Sequence, residues 1–336
     1  MNPDDSTRGE PIDLVAIGET MVAFVSRDDP RHYLAVPAGA ESNVAMGMAR
    51  LGCRTQWASR LGSDPLGRFI EGAVAEAGVD VEVVRDELRP TGVMTVHVDG
   101  SVRSSTYYRS QSAARALSPD DLRRVGPSQW THLTGITAAL SDPAAELVET
   151  VIVNRLRGRS RVSFDVNFRP SLWPGAEKAA GVLLRLARSA DVVFIGEDEA
   201  AALFGTGDVR ILAESILERD DQELVFKRGA GPASVITIGS EVSEPALATT
   251  VVESTGAGDA FAAGYLAATV FGWPVAARLR LGHVLGSRTV GVLEHIPPPF
   301  LDSEREAITP DGLAERWERI ETTGREGARL QADGGA

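Results

Sequence analysis

Residues Val251–Gly264, late in the chain, combine a glycine-rich turn, an acidic residue and a run of small apolar residues. Such a run after a β-branched pair predicts a buried helix, with Thr255 as its N-cap. Gly256 and Gly258 allow backbone N–H groups to approach a ligand, and the helix N-terminus adds positive potential, so the turn predicts an anion site. Asp259 lies at the mouth of this site, either as a general base or simply as an acid favoured by the helix dipole.

Two common phosphate-binding loops do not fit this turn. A P-loop requires Gly-Lys-Ser/Thr, which does not follow, and a dinucleotide fingerprint requires a third glycine where Phe261 stands. The turn Thr255–Asp259 instead resembles the Thr-Gly-Ala-Gly-Asp signature of the PfkB, or ribokinase-like, sugar kinases. That signature usually begins with Asp-Thr, whereas this chain has Glu253-Ser254 at those places.

The resemblance implies a chemical role for each part of the turn. Asp259 would take the proton from a sugar hydroxyl, and the turn of Gly256, Ala257 and Gly258 would hold the transferring phosphoryl group. ATP and Mg²⁺ are the implied cofactors. The sequence leaves open whether a monovalent cation is also needed.

The composition is that of an ordinary globular protein. Its 336 residues are 43% hydrophobic and 24% charged, enough for a sizeable core. The formal net charge of −13 argues against nucleic-acid or anionic-membrane partners, and no apolar run approaches the length of a membrane span. Cys53, the single cysteine, excludes an intrachain disulfide and is predicted to be a core residue; without a signal peptide, we expect a cytoplasmic protein.

From residue 131 onward, short apolar segments alternate with amphipathic ones. This alternation predicts an α/β fold in which a mainly parallel central sheet carries helices on both faces, and the resemblance implies the ribokinase-like form of it with a small β-lid. Ligands are then expected at the carboxyl ends of the strands. We expect one kinase domain over residues 11–320, lid segments at about 18–38 and 90–112, and flexible tails at 1–10 and 322–336.

A second signature of the family lies near the start of the chain: a glycine-rich turn, then Asn, then a small-residue helix that ends in Leu-Gly. Gly39, Ala40 and Asn43 fit this signature, with the helix predicted over Val44–Leu51. In the family the turn and its Asn contact the sugar, which implies that these three residues bind substrate. The alternative is that Asn43 only caps the helix.

A β-hairpin outside the β/α alternation is predicted to form part of the lid, with strands Thr91–Val98 and Ser104–Tyr108 around an Asp-Gly turn. The Tyr-Tyr-Arg-x-x-Ser-Ala sequence at its end resembles a stretch of 2-keto-3-deoxygluconate kinases, in which the first Tyr and the Arg bind the sugar acid. The resemblance implies Tyr107 and Arg109 as substrate ligands and a homo-oligomer formed through the lid. Otherwise the tyrosines pack and the arginine is solvated.

The strand predicted over Val162–Val166 brings Asp165, Asn167 and Arg169 to the carboxyl edge of the sheet. Such residues are rare in a core, so a binding site is expected there. The Asp-x-Asn-x-Arg…Leu-Trp pattern is similar to that of 2-keto-3-deoxygluconate kinases and fructokinases. It implies that Arg169 reaches substrate and phosphate, which a planar guanidinium can bind through two parallel hydrogen bonds, while Asp165 and Asn167 shape the pocket.

Two further matches concern the nucleotide. Glu199 fits the acid of the family's Asn-x-x-Glu motif, which the resemblance links to the hydration of Mg²⁺, although Gly196 replaces the Asn. Alternatively, Glu199 is a first-turn acid of the next helix. Lys227 and Gly229 resemble a Lys-x-Gly loop near the ATP phosphates, or they only form a turn.

The last predicted helix, Pro274–Thr289, corresponds to a region that walls the adenine in relatives. His283 and Ser287 are the implied nucleotide contacts, and His283 could equally be a packed helix residue. Two places depart from relatives: Glu294-His295 stand where sugar-acid kinases often carry Gly-Asp, and Met94 stands where a lid Tyr occurs.

Together the signatures imply an ATP-dependent sugar kinase, most similar to 2-keto-3-deoxygluconate kinases, with the 6-phosphate as product. The argument for a sugar acid is that Arg109 and Arg169 are directed at one pocket in an acidic protein. A neutral-sugar kinase such as a fructokinase is the alternative within the class. From other classes, a NAD-dependent oxidoreductase and a non-catalytic sugar-binding protein stay open.

Overall fold

The computed structural model of the protein describes residues 12–27, 29, 31–99, 102–154 and 160–318. The tails predicted at 1–10 and 322–336 lie outside these ranges. Within them, no helix combines the length and the hydropathy that a membrane crossing requires. Cys53 is buried, and burial raises the pKa of its thiol to about 12, so it is a core residue as predicted.

The strands in the described part of the chain form two sheets. They are β1 (Ile12–Ile17), β2 (Met21–Arg27), β3 (Leu34–Ala38), β4 (Thr55–Gly62), β5 (Asp80–Asp86), β6 (Val93–Asp99), β7 (Val102–Tyr108), β8 (Ser128–Thr134), β9 (Arg161–Asp165), β10 (Val192–Gly196), β11 (Glu223–Lys227), β12 (Ala233–Ile236) and β13 (Glu241–Glu244).

The helices connect these strands. They are α1 (Ala40–Arg50), α2 (Pro65–Glu76), α3 (Gly135–Ala138), α4 (Asp142–Asn154), α5 (Ala176–Ser189), α6 (Glu197–Phe204), α7 (Val209–Ile216), α8 (Ala257–Val270), α9 (Val275–Thr289) and α10 (Asp302–Glu306), with residues 310–318 also helical. Short 3₁₀ helices occupy Ala113–Ala116, Pro119–Arg124 and Pro170–Leu172.

The central sheet has the strand order β13-β12-β11-β10-β9-β8-β1-β4-β5. Its strands are parallel from β11 to β5, and only the edge strands β12 and β13 pair antiparallel. Alternate residues of β1 enter opposite cores: Leu14 and Ala16 pack on one face of the sheet, and Val15 and Ile17 on the other. The predicted α/β fold with helices on both faces is therefore confirmed.

The second sheet has the order β3-β2-β6-β7, with β2 and β6 parallel and the outer pairs antiparallel. We call it the lid sheet. The predicted hairpin is present as β6 and β7, and Asp99 pairs with Val102 across its turn. One apolar cluster belongs to this sheet: Met21, Ala23, Val25, Val36, Ala38, Met94, Val96 and Val98.

Helix α8 packs between α1 and α9 at close range, which explains its run of small residues. A Cβ atom added at Gly47 of α1 would lie 2.7 Å from the Cβ of Ala263. Helix α1 begins at Ala40, four residues before the predicted start at Val44, because Gly39 is its N-cap.

Gly264 is the position at which α8 approaches the backbone of α9 most closely among the glycines of α8. A Cβ atom there would lie 2.5 Å from the carbonyl oxygen of Leu281, which cannot move without shifting α9. We expect Gly264→Ala to lower the free energy of unfolding by about 1–3 kcal/mol, measured by urea denaturation.

Gly181 is the matched control, because it is a helical glycine with no atom within 4 Å of an added Cβ. Gly181→Ala should leave stability unchanged or raise it by up to about 1 kcal/mol. Equal stability of the two variants would contradict the packing described for α8 and α9.

Candidate active site

A cavity of about 1180 Å³ lies between the lid sheet and the carboxyl ends of β9, β10 and β11. The first turn of α8 and the turn before it form part of the cavity wall. The sequence-predicted residues that line it are Gly39, Ala40, Asn43, Tyr107, Arg109, Asn167, Arg169, Glu199, Lys227, Gly229, Gly256, Gly258 and Asp259. Segments far apart in the chain therefore meet at one place, as expected for ligands at strand carboxyl ends.

Asp259, in the first turn of α8, accepts hydrogen bonds from two amide side chains. Asn43 Nδ2 donates to Oδ2 at 2.9 Å, and Asn167 Nδ2 donates to Oδ1 at 3.4 Å. Burial raises the pKa of Asp259 to about 6, and Asp165 adds to this, while Asn43, Lys227 and Arg169 act in the opposite direction. The carboxylate is thus poised to accept a proton near neutral pH.

Asn43 lies inside α1, so the alternative that it only caps this helix is wrong. Asn167 has a left-handed backbone with φ 38°, a conformation that Asn tolerates better than most residues. Its backbone N–H donates to Asp165 Oδ1 at 3.2 Å, which holds the turn after β9 in the shape that directs the amide to Asp259.

Lys227 and Asp165 form a buried ion pair from the ends of β11 and β9, with Nζ 2.7 Å from Oδ2. Burial lowers the pKa of Lys227, but Asp165 and Glu199 outweigh this effect, so the pKa is raised overall and the ammonium stays charged. A Cβ atom at Gly258 would lie 3.5 Å from Lys227 Nζ. The lysine charge therefore stands beside the glycine turn, where an anion would bind.

The turn before α8 needs glycine at position 256. Gly256 is the N-cap with φ 80°, and any Cβ there would collide with the backbone carbonyl of His295. The prediction of Thr255 as N-cap is wrong, because its N–H and Oγ1 donate to Glu253 Oε1 at 2.9 and 2.7 Å. The unusual Glu253 thus stabilises the turn. Ala257 donates its N–H to the Ser254 carbonyl at 3.3 Å and is not in the cavity lining.

Glu199 is tied to the backbone on both of its oxygens. Oε2 accepts from the Gly196 N–H at 2.9 Å, and Oε1 accepts from the Phe168 N–H at 2.8 Å. It is thus a first-turn acid of α6 that also faces the cavity, 3.7 Å from Arg169 Nη1. No group of three or more His, Cys, Asp or Glu side chains among the described residues could hold a metal ion alone. A Mg²⁺ ion would fit here only with water and phosphate ligands, and Glu199 would touch it indirectly.

Arg109 is buried and forms an ion pair with Glu19, which sequence analysis missed. Glu19 also accepts a hydrogen bond from Ser112 Oγ. Glu19 lies two residues after β1, at the carboxyl edge of a parallel sheet, and this position could have identified it as a site residue from the sequence. Glu19 compensates the charge of Arg109, while the buried Nε of Arg109 donates no hydrogen bond within the described part of the chain.

Four predicted positions on the C-terminal side do not line the cavity. His283 packs against Phe261 with ring centroids 5.1 Å apart, and its Nε2 lies 3.1 Å from the carbonyl oxygen of Glu244, so it is a packed helix residue. Burial lowers its pKa to about 4. Ser287 donates to the Val284 carbonyl within α9. Glu294 is exposed and His295 buried, and neither side chain replaces the expected Asp in this cavity.

The sequence matches the PfkB family of carbohydrate kinases over residues 11–299. It is 33% identical over 314 residues to the 2-dehydro-3-deoxygluconokinase of Bacillus subtilis, covering 88% of this chain and 97% of that protein. It is also 33% identical over 255 residues to a fructokinase of Klebsiella pneumoniae, covering 75% and 82%. The structure of a Vibrio cholerae fructokinase double mutant with fructose, ADP and potassium superposes with a TM-score of 0.79 at 26% identity, covering 90% and 99%.

The Glu19–Arg109 pair predicts a large stability effect. Arg109→Leu would leave the Glu19 carboxylate buried without its counter-charge, at an expected cost of about 3–5 kcal/mol in urea denaturation. The double variant Glu19→Gln/Arg109→Leu should regain much of this loss, because no charge is left uncompensated. If Arg109→Leu alone unfolds at the same urea concentration as the wild-type protein, the pair does not contribute to stability.

Proposed function

The chain belongs to the PfkB family of carbohydrate kinases and is a phosphotransferase that acts on a sugar hydroxyl, and we propose that its acceptor is O6 of 2-keto-3-deoxygluconate and its phosphoryl donor MgATP. The single observation that supports the chemistry best is Asp259. Its carboxylate faces the cavity at the start of α8, accepts bonds from Asn43 and Asn167, and lies beside the Gly256–Gly258 turn.

In the proposed reaction, Asp259 accepts the proton of the primary hydroxyl as that oxygen attacks the γ-phosphorus in line and ADP departs. The N–H groups of Gly256 and Gly258 and the helix N-terminus face the transferring group. Arg169 and Lys227 would add positive charge there, with Gly229 close to the phosphates. Bound Mg²⁺ would supply neutralisation of phosphate charge, held by ATP and water near Glu199.

Two observations support a sugar acid as substrate. The match to the 2-dehydro-3-deoxygluconokinase of B. subtilis extends over 88% of this chain, against 75% for the fructokinase of K. pneumoniae. The lid side of the cavity also carries more arginine than a neutral sugar needs, with Arg109 and Arg115 in its lining. Gly39, Ala40, Asn43 and Tyr107 would contact the sugar.

A fructokinase is the second candidate, favoured by the relatives of that activity and by the charge compensation of Arg109. The oxidoreductase alternative does not stand, because the family is one of kinases. A non-catalytic sugar-binding role would not need a carboxylate held ready beside an amide-lined turn.

We also infer that two copies of the chain associate through their lid sheets. Leu34 and Tyr108 of this sheet, and Tyr33 just before β3, are exposed apolar residues in the single chain. Pairing of such surfaces would remove them from water and cover the cavity from outside.

A substrate comparison tests the proposed acceptor. Wild-type protein with MgATP should phosphorylate 2-keto-3-deoxygluconate, with release of ADP from ATP, at a kcat/KM roughly 10-fold or more above that for fructose, since a charged hydrogen bond contributes about 1.5–3 kcal/mol. Phosphorus NMR of the product should show a 6-phosphate. Faster turnover of fructose would make the neutral-sugar alternative correct.

The role of Asp259 predicts a pH profile. Activity needs the ionised carboxylate, so it should be full well above pH 6 and fall as pH drops through the pKa of about 6. Asp259→Asn keeps the shape but removes the base, and kcat should fall by roughly 10²–10⁴-fold, with loss of this acidic limb. Binding of sugar and ATP by calorimetry serves as the control for folding. Near-normal turnover by this variant would exclude the assigned role.

A further inference from the structure

We propose that Leu293 is a positioning residue for the glycine turn at Gly256, and that it makes the affinity for nucleotide depend on a sugar bound under the lid sheet. This inference rests on the proposed function, because it concerns how the two substrates of that site influence each other. Leu293 belongs to residues 290–297, which follow α9 and which we call the connecting segment.

The connecting segment contacts the glycine turn at two places. The carbonyl oxygen of Val290 accepts hydrogen bonds from the N–H groups of Val252 at 2.7 Å and Glu253 at 3.1 Å, just before the turn. The carbonyl group of His295 lies so close to Gly256 that only glycine fits at that position. A shift of the connecting segment would therefore move the turn whose N–H groups face the transferring phosphoryl group in the proposed reaction.

The conformation of His295 shows that this close approach is imposed by its surroundings. Its φ is 60°, a left-handed backbone that non-glycine residues rarely adopt, and its side chain is fully buried. Such a conformation persists only where neighbouring contacts hold it. The next two residues supply some of these contacts, because Ile296 belongs to the same apolar core as α8 and the Pro297 carbonyl accepts a hydrogen bond from Arg50 at the end of α1.

The connecting segment also reaches the lid sheet. Leu293 is half-buried and packs against the apolar cluster of that sheet. Three members of the cluster, Met21, Ala38 and Met94, also line the cavity. A sugar that lies against the lid sheet therefore contacts the same apolar cluster as Leu293.

The chain between these two contacts is short. Leu293 and His295 are two residues apart, which spans at most about 7 Å even in a fully extended chain. A lid sheet that is held in place by a bound sugar therefore also holds His295 and the turn. A turn that is already in its binding geometry loses less freedom when ATP binds, which raises the affinity. By thermodynamic linkage, ATP raises the affinity for the sugar by the same factor.

The test is calorimetric binding of AMP-PNP with Mg²⁺, an ATP analogue that does not transfer its phosphoryl group, with and without saturating 2-keto-3-deoxygluconate. For wild-type protein we expect the sugar to lower the Kd of the analogue by roughly 5-fold or more. Leu293→Ala removes the contact with the lid cluster, so the sugar should then change this Kd by less than about twofold. The Kd of each ligand alone should stay close to that of wild type, because Leu293 lies outside the cavity lining.

Leu301→Ala is the matched control, because Leu301 is an exposed leucine eight residues further along, outside the lid cluster and the cavity lining. It should keep the wild-type ratio of the two Kd values. Leu293→Met should keep this ratio as well, since it preserves an apolar side chain of similar volume.

Hydrogen exchange measured by mass spectrometry needs no ligand. The amides of residues 252–258 should exchange faster in Leu293→Ala than in wild-type protein or Leu301→Ala, because the connecting segment is then less firmly held. Unchanged exchange of these amides would contradict the proposed transmission from Leu293 to the turn.

Two binding results would also overturn the inference. If the sugar acid binds to wild-type protein but leaves the Kd of the analogue unchanged, the proposed function stands and the coupling fails. If Leu293→Ala keeps the wild-type ratio, the role of Leu293 fails. Binding of fructose in place of the acid would overturn only the proposed substrate, and the same ratio measured with fructose then supports or overturns the role of Leu293.

Discussion

Charged side chains in a buried cavity wall need nearby groups that offset the cost of burial, and this requirement determines how the site is built. Burial of Asp259 disfavours its ionised form, and Asp165 adds repulsion, yet the proposed role of Asp259 as proton acceptor requires an ionised carboxylate near neutral pH. The amide of Asn43 and the charge of Lys227 offset these effects, which leaves the pKa at about 6. A stronger set of donors would lower the pKa and make the carboxylate too weak a base. A purely apolar wall would raise the pKa until the carboxyl group is protonated at neutral pH.

This requirement explains the packing around α8. Asn43 can reach Asp259 only if α1 and α8 lie close together, and the small residues at their interface, Gly47 and Ala263, permit that approach. The large core on this face of the sheet, with α9 on the far side of α8, then holds both helices rigidly. The buried small residues of α8 thus allow the close helix packing that brings Asn43 to Asp259 in the first turn.

Charge compensation extends across the whole cavity. Lys227 pairs with Asp165 at the nucleotide end, and Arg109 pairs with Glu19 under the lid sheet. These pairs let an acidic protein with a net charge of −13 line a cavity with cations without a large excess of either sign. The charge on the cavity wall is therefore balanced largely by pairs that lie within the wall itself.

The sequence alone predicted the α/β fold from strand alternation and the lid hairpin from its Asp-Gly turn, because these are local patterns, and the resemblance to the family implied that Asn43, Arg169 and Asp259 share one pocket. It could not determine which charges are already paired. The Glu19–Arg109 pair and the packing of His283 depend on contacts between segments distant in the chain. Likewise, the N-cap of α8, Gly256, has to be a glycine because the backbone of His295 approaches the turn. Only tertiary packing brings these groups within reach, and local propensity carries no information about it.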